Sequence, residues 1–154
     1  MAENSLTELS IKQVRLIGIM LLLSQVAFLL VVMFLIDKQQ SDATMGEAFR
    51  LVVPAMAAMV VPAAYIFFNK FIQAAKAQPQ IDQRLARYRT AVIVKLAMLE
   101  GILLFIGVAL MLSQEYFLLI VWAIVFALML TSVLSAVRRS FVEEIAQGDS
   151  RVMA

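Results

Sequence analysis

The chain has 154 residues, of which 63% are hydrophobic, and a mean hydropathy of +0.91; soluble domains run nearer half apolar, so the excess points to a bilayer as solvent. It contains no Cys and no His, which excludes disulfides, Cys/His zinc sites, haem ligation through His and His-based acid/base catalysis within the chain, and no cofactor or metal is expected. The net charge is only +2, and the basic residues sit beside apolar runs instead of building a face, so nucleic acid is not expected as a partner.

Residues 1–15 are polar and contain Glu3 and Glu8. The pair Ser5 and Glu8 has capping-box spacing, which predicts a helix starting near residue 6 and lying partly in the interface. The apolar run that follows is too long for a signal core and is not closed by a small-x-small site, so it is expected to remain as a span. That first run, 16–36, has no charge. Residues 37–50 read as an outer loop. The second run, 51–72, is uncharged until Lys70 and contains two Pro. Residues 73–90 read as helical extensions broken near Gln78–Pro79, because Pro79 disfavours helix at the residue before it. The third run, 91–112, carries Lys95 and Glu100. Ser113–Glu115 leaves room only for a tight turn, so the third and fourth helices should be antiparallel neighbours. The fourth run, 116–137, has no charge; residues 138–145 read as its continuation and 147–154 as a frayed end. About 20 residues at a 1.5 Å rise span a hydrocarbon core of roughly 30 Å. A spanning segment must satisfy its own backbone, and the alternation a barrel requires is missing. The expectation is an all-α fold: one integral membrane domain over 1–154, a four-helix bundle with a tail at 138–154.

Charge placement gives an orientation. Lys70, Lys76, Arg84, Arg87 and Arg89 face only Asp82 in the connection between the second and third runs. Lys12 and Arg15 precede the first run, and Arg138, Arg139 and Arg151 follow the fourth. The other connections hold Asp37, Asp42 and Glu47 with Lys38 and Arg50, then Glu115. By the positive-inside rule both termini and the 73–90 loop are expected in the cytoplasm, with the chain in a bacterial inner (plasma) membrane.

Glu100 is the residue that most suggests a site. It lies about ten residues into the third helix, where a charged group costs about 2.5–3.5 kcal/mol and is functional by default. Lys95 is nearer the cytoplasmic end and is expected to snorkel to the headgroups. It lies about 140° around the helix from Glu100, a poor intrahelical partner. Gln25 in the first helix and Pro62 in the second occupy the depth of Glu100. Pro62 deprives the Ala58 carbonyl of its helical donor. An amide, a free carbonyl and a carboxyl at one depth predict a hydrogen-bonded cluster, with protonated Glu100 donating to either acceptor. Gly107 shares the face of Glu100, and Gly18 shares that of Gln25. Ala55, Ala58, Pro62, Tyr65 and Asn69 line one side of the second helix. Small residues permit close approach in lipid, so these faces should point into the bundle or toward a neighbouring subunit. The plainer alternative is a neutral Glu100 that bonds Gln25 and holds two helices in register. Thr131, Ser132 and Ser135 are expected to bond their own helix, and Trp122 and the Met residues to pack or face lipid. Met56 and Met59 without Cys or His make a poor Cu(I) site. The basic 73–90 loop is mainly a topology determinant and secondarily a surface for anionic lipid. With no comparable group at that depth on the fourth helix, the first three are expected to form the functional core.

One segment carries a family resemblance. AlaAlaLysAlaGlnPro (74–79), then TyrArgThrAlaValIleValLysLeuAlaMetLeuGlu (88–100) and an apolar run with Gly107, resembles the polar-loop hairpin of the rotary ATP synthase proteolipid, subunit c. The resemblance implies an ion-binding carboxylate at Glu100, on a helix running outward from a cytoplasmic loop. It covers about a quarter of the chain. Pro79 and Glu100 are a few residues further apart than in that family, the 51–72 run lacks its Gly-rich pattern, and two further helices flank the hairpin. Four-helix vacuolar-type proteolipids place their carboxylate on the last helix. Small multidrug exporters place theirs on the first, where this chain has Gln25. As a whole the chain resembles four-helix bacterial membrane proteins of unassigned activity.

Two functions follow as expectations. Either the bundle binds or translocates a proton or cation at Glu100 with Gln25, supported by Pro62, Ala58, Tyr65 and Asn69, in a homo-oligomer; or it is a structural or accessory subunit that assembles or anchors a larger membrane complex. An enzyme is not expected, because Asn69, Lys70 and Arg89 near the interface form no recognisable catalytic set.

Overall fold

The computed structural model describes residues 2–36 and 43–136. Among these residues the fold is all-α, with four helices: α1 (Ala2–Ile36), α2 (Ala43–Lys76), α3 (Ile81–Ser113) and α4 (Phe117–Ala136). All four are long and apolar enough to cross a membrane. The expected continuation over 138–145 and the end at 147–154 lie outside the described residues.

Helix ends differ from the expectations in two places. α1 already begins at Ala2, so Ser5 lies inside its first turn and is not an N-cap. α2 begins at Ala43 and absorbs much of the expected outer loop, since Met45 through Phe49 offer no breaker except Gly46. α2 also runs unbroken through Pro54 and Pro62. Loss of a backbone donor inside a spanning helix is tolerated there.

The break near Gln78–Pro79 is present. α2 stops at Lys76 and α3 starts at Ile81, with Gln80 in extended conformation as the N-cap. The corner is tied by the Arg84 Nε, which donates to the Gln78 carbonyl at 2.6 Å. At the opposite end Gln114 turns the chain from α3 into α4 with φ 56°, its N–H returning to the Leu110 carbonyl. Its side-chain amide donates to the Ile36 carbonyl at 3.1 Å, satisfying an orphan acceptor at the end of α1.

Contacts between helices fix the topology. Arg89 of α3 donates to Gln13 of α1, and Ser24 of α1 meets Glu100 of α3; both pairs are offset by 76 residues. α1 and α3 are therefore parallel and in constant register. The Tyr88 hydroxyl donates to the Ala136 carbonyl, so α4 runs against α3. Arg50 and Glu115 pair at 3.0 Å at the far end, so α2 does likewise. Lys12, Arg15, Lys70, Lys76, Arg84, Arg87 and Arg89 thus collect at one end of the bundle, called the basic end below.

α3 is the central helix and packs against the other three. Its buried residues Leu85, Tyr88, Val92, Leu96, Leu99, Leu103, Ile106 and Leu110 recur at spacings of three and four, the seam of a supercoiled bundle. Two glycines mark close approaches. A Cβ on Gly18 would stand 2.7 Å from Val133 Cγ1 of α4, and one on Gly107 would strike the Phe28 ring of α1. Both faces therefore point into the bundle. The outward surface is apolar over most of its extent, with Leu51 78%, Met59 73%, Phe34 67% and Leu30 66% exposed. Such a surface would aggregate in water and suits hydrocarbon.

Candidate functional site

Glu100 sits on α3 beside the buried seam residue Leu99. One residue off that seam, it is carried to the edge of the helix interface, half-buried at the junction of α1 and α3. Its carboxylate Oε1 lies 3.3 Å from the Ser24 hydroxyl. That hydroxyl also donates to the Leu21 carbonyl of its own helix at 2.8 Å. A serine has one proton and two lone pairs, and a carbonyl can only accept. The Ser24 proton is therefore shared between the Leu21 carbonyl and the Glu100 carboxyl, with the shorter bond to Leu21. Glu100 forms no ion pair among the described residues.

The expected cluster of amide, carbonyl and carboxyl is not assembled. Gln25 is fully buried, yet neither its Nε2 nor its Oε1 finds a partner. The depth of Gln25 is that of Glu100, but its direction is not. Gly18, two helical turns earlier on the same face, packs against α4, so Gln25 points toward the bundle interior while Ser24 turns toward α3. Ala55, Ala58, Pro62 and Asn69 are exposed, so the small-residue stripe of α2 faces outward and contributes nothing to a pocket around Glu100. The inward face of α2 is instead Val53, Ala57, Ala64, Ile72 and Ala75.

Lys95 does not snorkel. It is 7% exposed, and its ammonium lies 3.7 Å from the centre of the Tyr65 ring and 4.7 Å from that of Phe68. Tyr65 and Phe68 stand one turn apart on α2 and form two walls of a cage for the cation. The Tyr65 hydroxyl in turn meets the Ser132 hydroxyl of α4 at 3.2 Å. Ser132 donates to the Leu128 carbonyl at 2.7 Å, which leaves Tyr65 as the donor in that pair. Thr131 and Ser135 bond their own helix as expected. α4 therefore supplies the Ser132 hydroxyl to the layer of Lys95 and Tyr65. A Tyr and a Phe at i, i+3 on α2, level with a lysine on α3, was the signal in the sequence that pointed to this cage.

Comparison with protein-family models, curated proteins and solved structures finds no match. The reading of the site therefore stands on its geometry. Two polar layers cross the bundle, separated by about 7.5 Å along α3 from the rise between Lys95 and Glu100. The layer nearer the basic end is a closed, internal cation–aromatic cage. The deeper one divides into an unpartnered amide inside and a carboxyl at the outer seam. The cage is saturated by the side chains that build it. The carboxyl is half-buried.

Proposed function

We propose that the chain is a bacterial inner-membrane protein, with both termini cytoplasmic, that binds or translocates a proton or small cation at Glu100. The observation that carries this reading is the half-buried carboxyl at mid-span, which meets the Ser24 hydroxyl across the α1–α3 seam and forms no ion pair among the described residues. A carboxyl serving only as glue between helices would be expected fully buried and bonded to Gln25; Glu100 is instead half-buried at the α1–α3 seam, beside Ser24. A carboxylate there would be shielded from hydrocarbon by a second copy of the chain, which supports a homo-oligomer in which subunits meet along α1 and α3.

Glu100→Gln tests the reading. The amide keeps the shape and can still accept from Ser24 through its carbonyl oxygen, so the bundle should melt as the wild type does. A pH jump on weakly buffered micellar protein, followed with an indicator dye, should show one proton per chain fewer in the variant. Equal proton uptake by both proteins would refute the proposal.

The outward stripe of Ala55, Ala58, Pro62 and Asn69 supports a second reading, in which the chain assembles with another membrane protein through α2. Because the chain has no Cys, a single Ala58→Cys can report this by cross-linking. Under this reading Glu100→Gln retains both the cross-link and the phenotype.

A further inference from the structure

At the basic end a groove of about 450 Å³ opens between α1 and α3, lined by Gln13, Val14, Ile17, Arg89, Thr90 and Ile93 among others. Its volume is that of a small-molecule pocket. Its deeper half is apolar, formed by Val14, Ile17 and Ile93. Its mouth carries a built polar pair, in which the Arg89 guanidinium donates to the Gln13 side-chain oxygen. That bond uses one of five guanidinium N–H groups, and among the described residues the other N–H groups of Arg89 and those of the Gln13 amide have no hydrogen-bond partner, so donors remain available at the mouth. Thr90 is not among them, because its hydroxyl donates to the Ala86 carbonyl at 3.1 Å. Lys12 and Arg15 flank Gln13 on the exposed side of α1, and Arg87 is exposed on α3.

The groove lies where the apolar runs begin, at Leu16 of α1 and Ala91 of α3. Charged donors therefore stand at headgroup level and apolar walls directly below them. Such an arrangement fits one occupant better than others: a molecule with an anionic phosphate above and a hydrocarbon chain below. Arginine recognises phosphate through its planar fork of donors. A free phosphate would use the mouth and leave the apolar half wet, whereas a zwitterionic lipid would bring a cation toward Lys12, Arg15 and Arg89. We propose that this groove is a binding site for an anionic phospholipid, its phosphate held by Arg89 and Gln13 and the start of one acyl chain laid on Val14, Ile17 and Ile93. The lipid would clamp α1 to α3 at the end of the seam that carries Ser24 and Glu100.

Native mass spectrometry of the purified chain, offered equal amounts of phosphatidylglycerol and phosphatidylcholine, tests the proposal. The wild type should retain several-fold more phosphatidylglycerol. Arg89→Gln should bring retention to parity, and Arg87→Gln, outside the groove on the same helix, should leave the preference intact. Ile93→Trp fills the apolar half while keeping every charge, and should also abolish it. Millimolar inorganic phosphate should not displace the lipid. The proposal is overturned if the wild type shows no preference, if Arg87→Gln lowers it as much as Arg89→Gln, if Ile93→Trp leaves it unchanged, or if inorganic phosphate competes.

Discussion

Gly18→Ala puts the packing of α1 on α4 to a quantitative test. The added Cβ would lie 2.7 Å from Val133 Cγ1 and 3.1 Å from Cγ2, against an ordinary carbon contact of about 3.5–4.0 Å. Val133 is 4% exposed and β-branched, with one strongly preferred rotamer in a helix, so it cannot swing clear. Relief needs a shift of nearly 1 Å between two helix backbones. Overpacking of this kind costs about 1–3 kcal/mol. Against it stands the better helix propensity of Ala, about 1 kcal/mol. The net expectation is a loss of about 1 kcal/mol in an otherwise wild-type chain. In a Val133→Ala background the clash disappears while the propensity gain remains, so the same substitution should stabilise. Unfolding in mixed micelles, followed by far-ultraviolet circular dichroism, gives the four free energies of the cycle. A change of sign with a coupling of about 1–3 kcal/mol is expected. An effect of Gly18→Ala that is equal in the two backgrounds would show that these helices do not meet at Gly18 and Val133.

Further predictions concern the interior polar groups. Gln25→Leu removes a buried amide with no partner at either end and should stabilise the bundle by about 1–3 kcal/mol, read in the same unfolding assay; a loss of stability would mean the amide is satisfied in the membrane. Lys95→Met replaces a caged ammonium by an apolar chain of similar length and should leave stability unchanged or raised. Tyr65→Leu should cost about 1–2 kcal/mol by stripping one wall from the cation, and most of that cost should vanish when Lys95 is already Met. If the two substitutions prove additive, the ring is not holding the ammonium.

What was legible in the sequence and what was not divide along a physical line. Apolar length, the Pro79 corner and the short Ser113–Glu115 turn are one-dimensional signals, and all four helices follow from them. Depth is also one-dimensional, and the α1–α3 register puts Gln25 within one residue of the level of Glu100. Azimuth is not. In a helix that is apolar all round, hydrophobicity does not mark the inward face, because lipid and core are equally apolar. Hence depth alone pairs Gln25 with Glu100 while its neighbour Ser24 makes that contact, and of the α2 stripe Ala55, Ala58, Pro62 and Asn69 face outward while Tyr65 turns inward to Lys95. Lys95 shows a second limit. Snorkelling is the default for a lysine near a helix end, and only the three-dimensional arrival of Tyr65 and Phe68 offers a better alternative. The glycines fared better: Gly18 and Gly107 mark faces by size and not by polarity, and both do pack inward.

Carbodiimide labelling of Glu100, quantified by mass spectrometry of the α3 peptide, is the most direct measurement of the central claim. Carbodiimides attack the protonated carboxyl from the hydrocarbon side. Modification is expected at Glu100, at a rate that declines as pH rises and is slowed by any cation that the site binds, while Glu115, paired with Arg50 at the far end, stays unlabelled. A Glu100 that is inert, or labelled at a rate indifferent to both pH and ions, would contradict it.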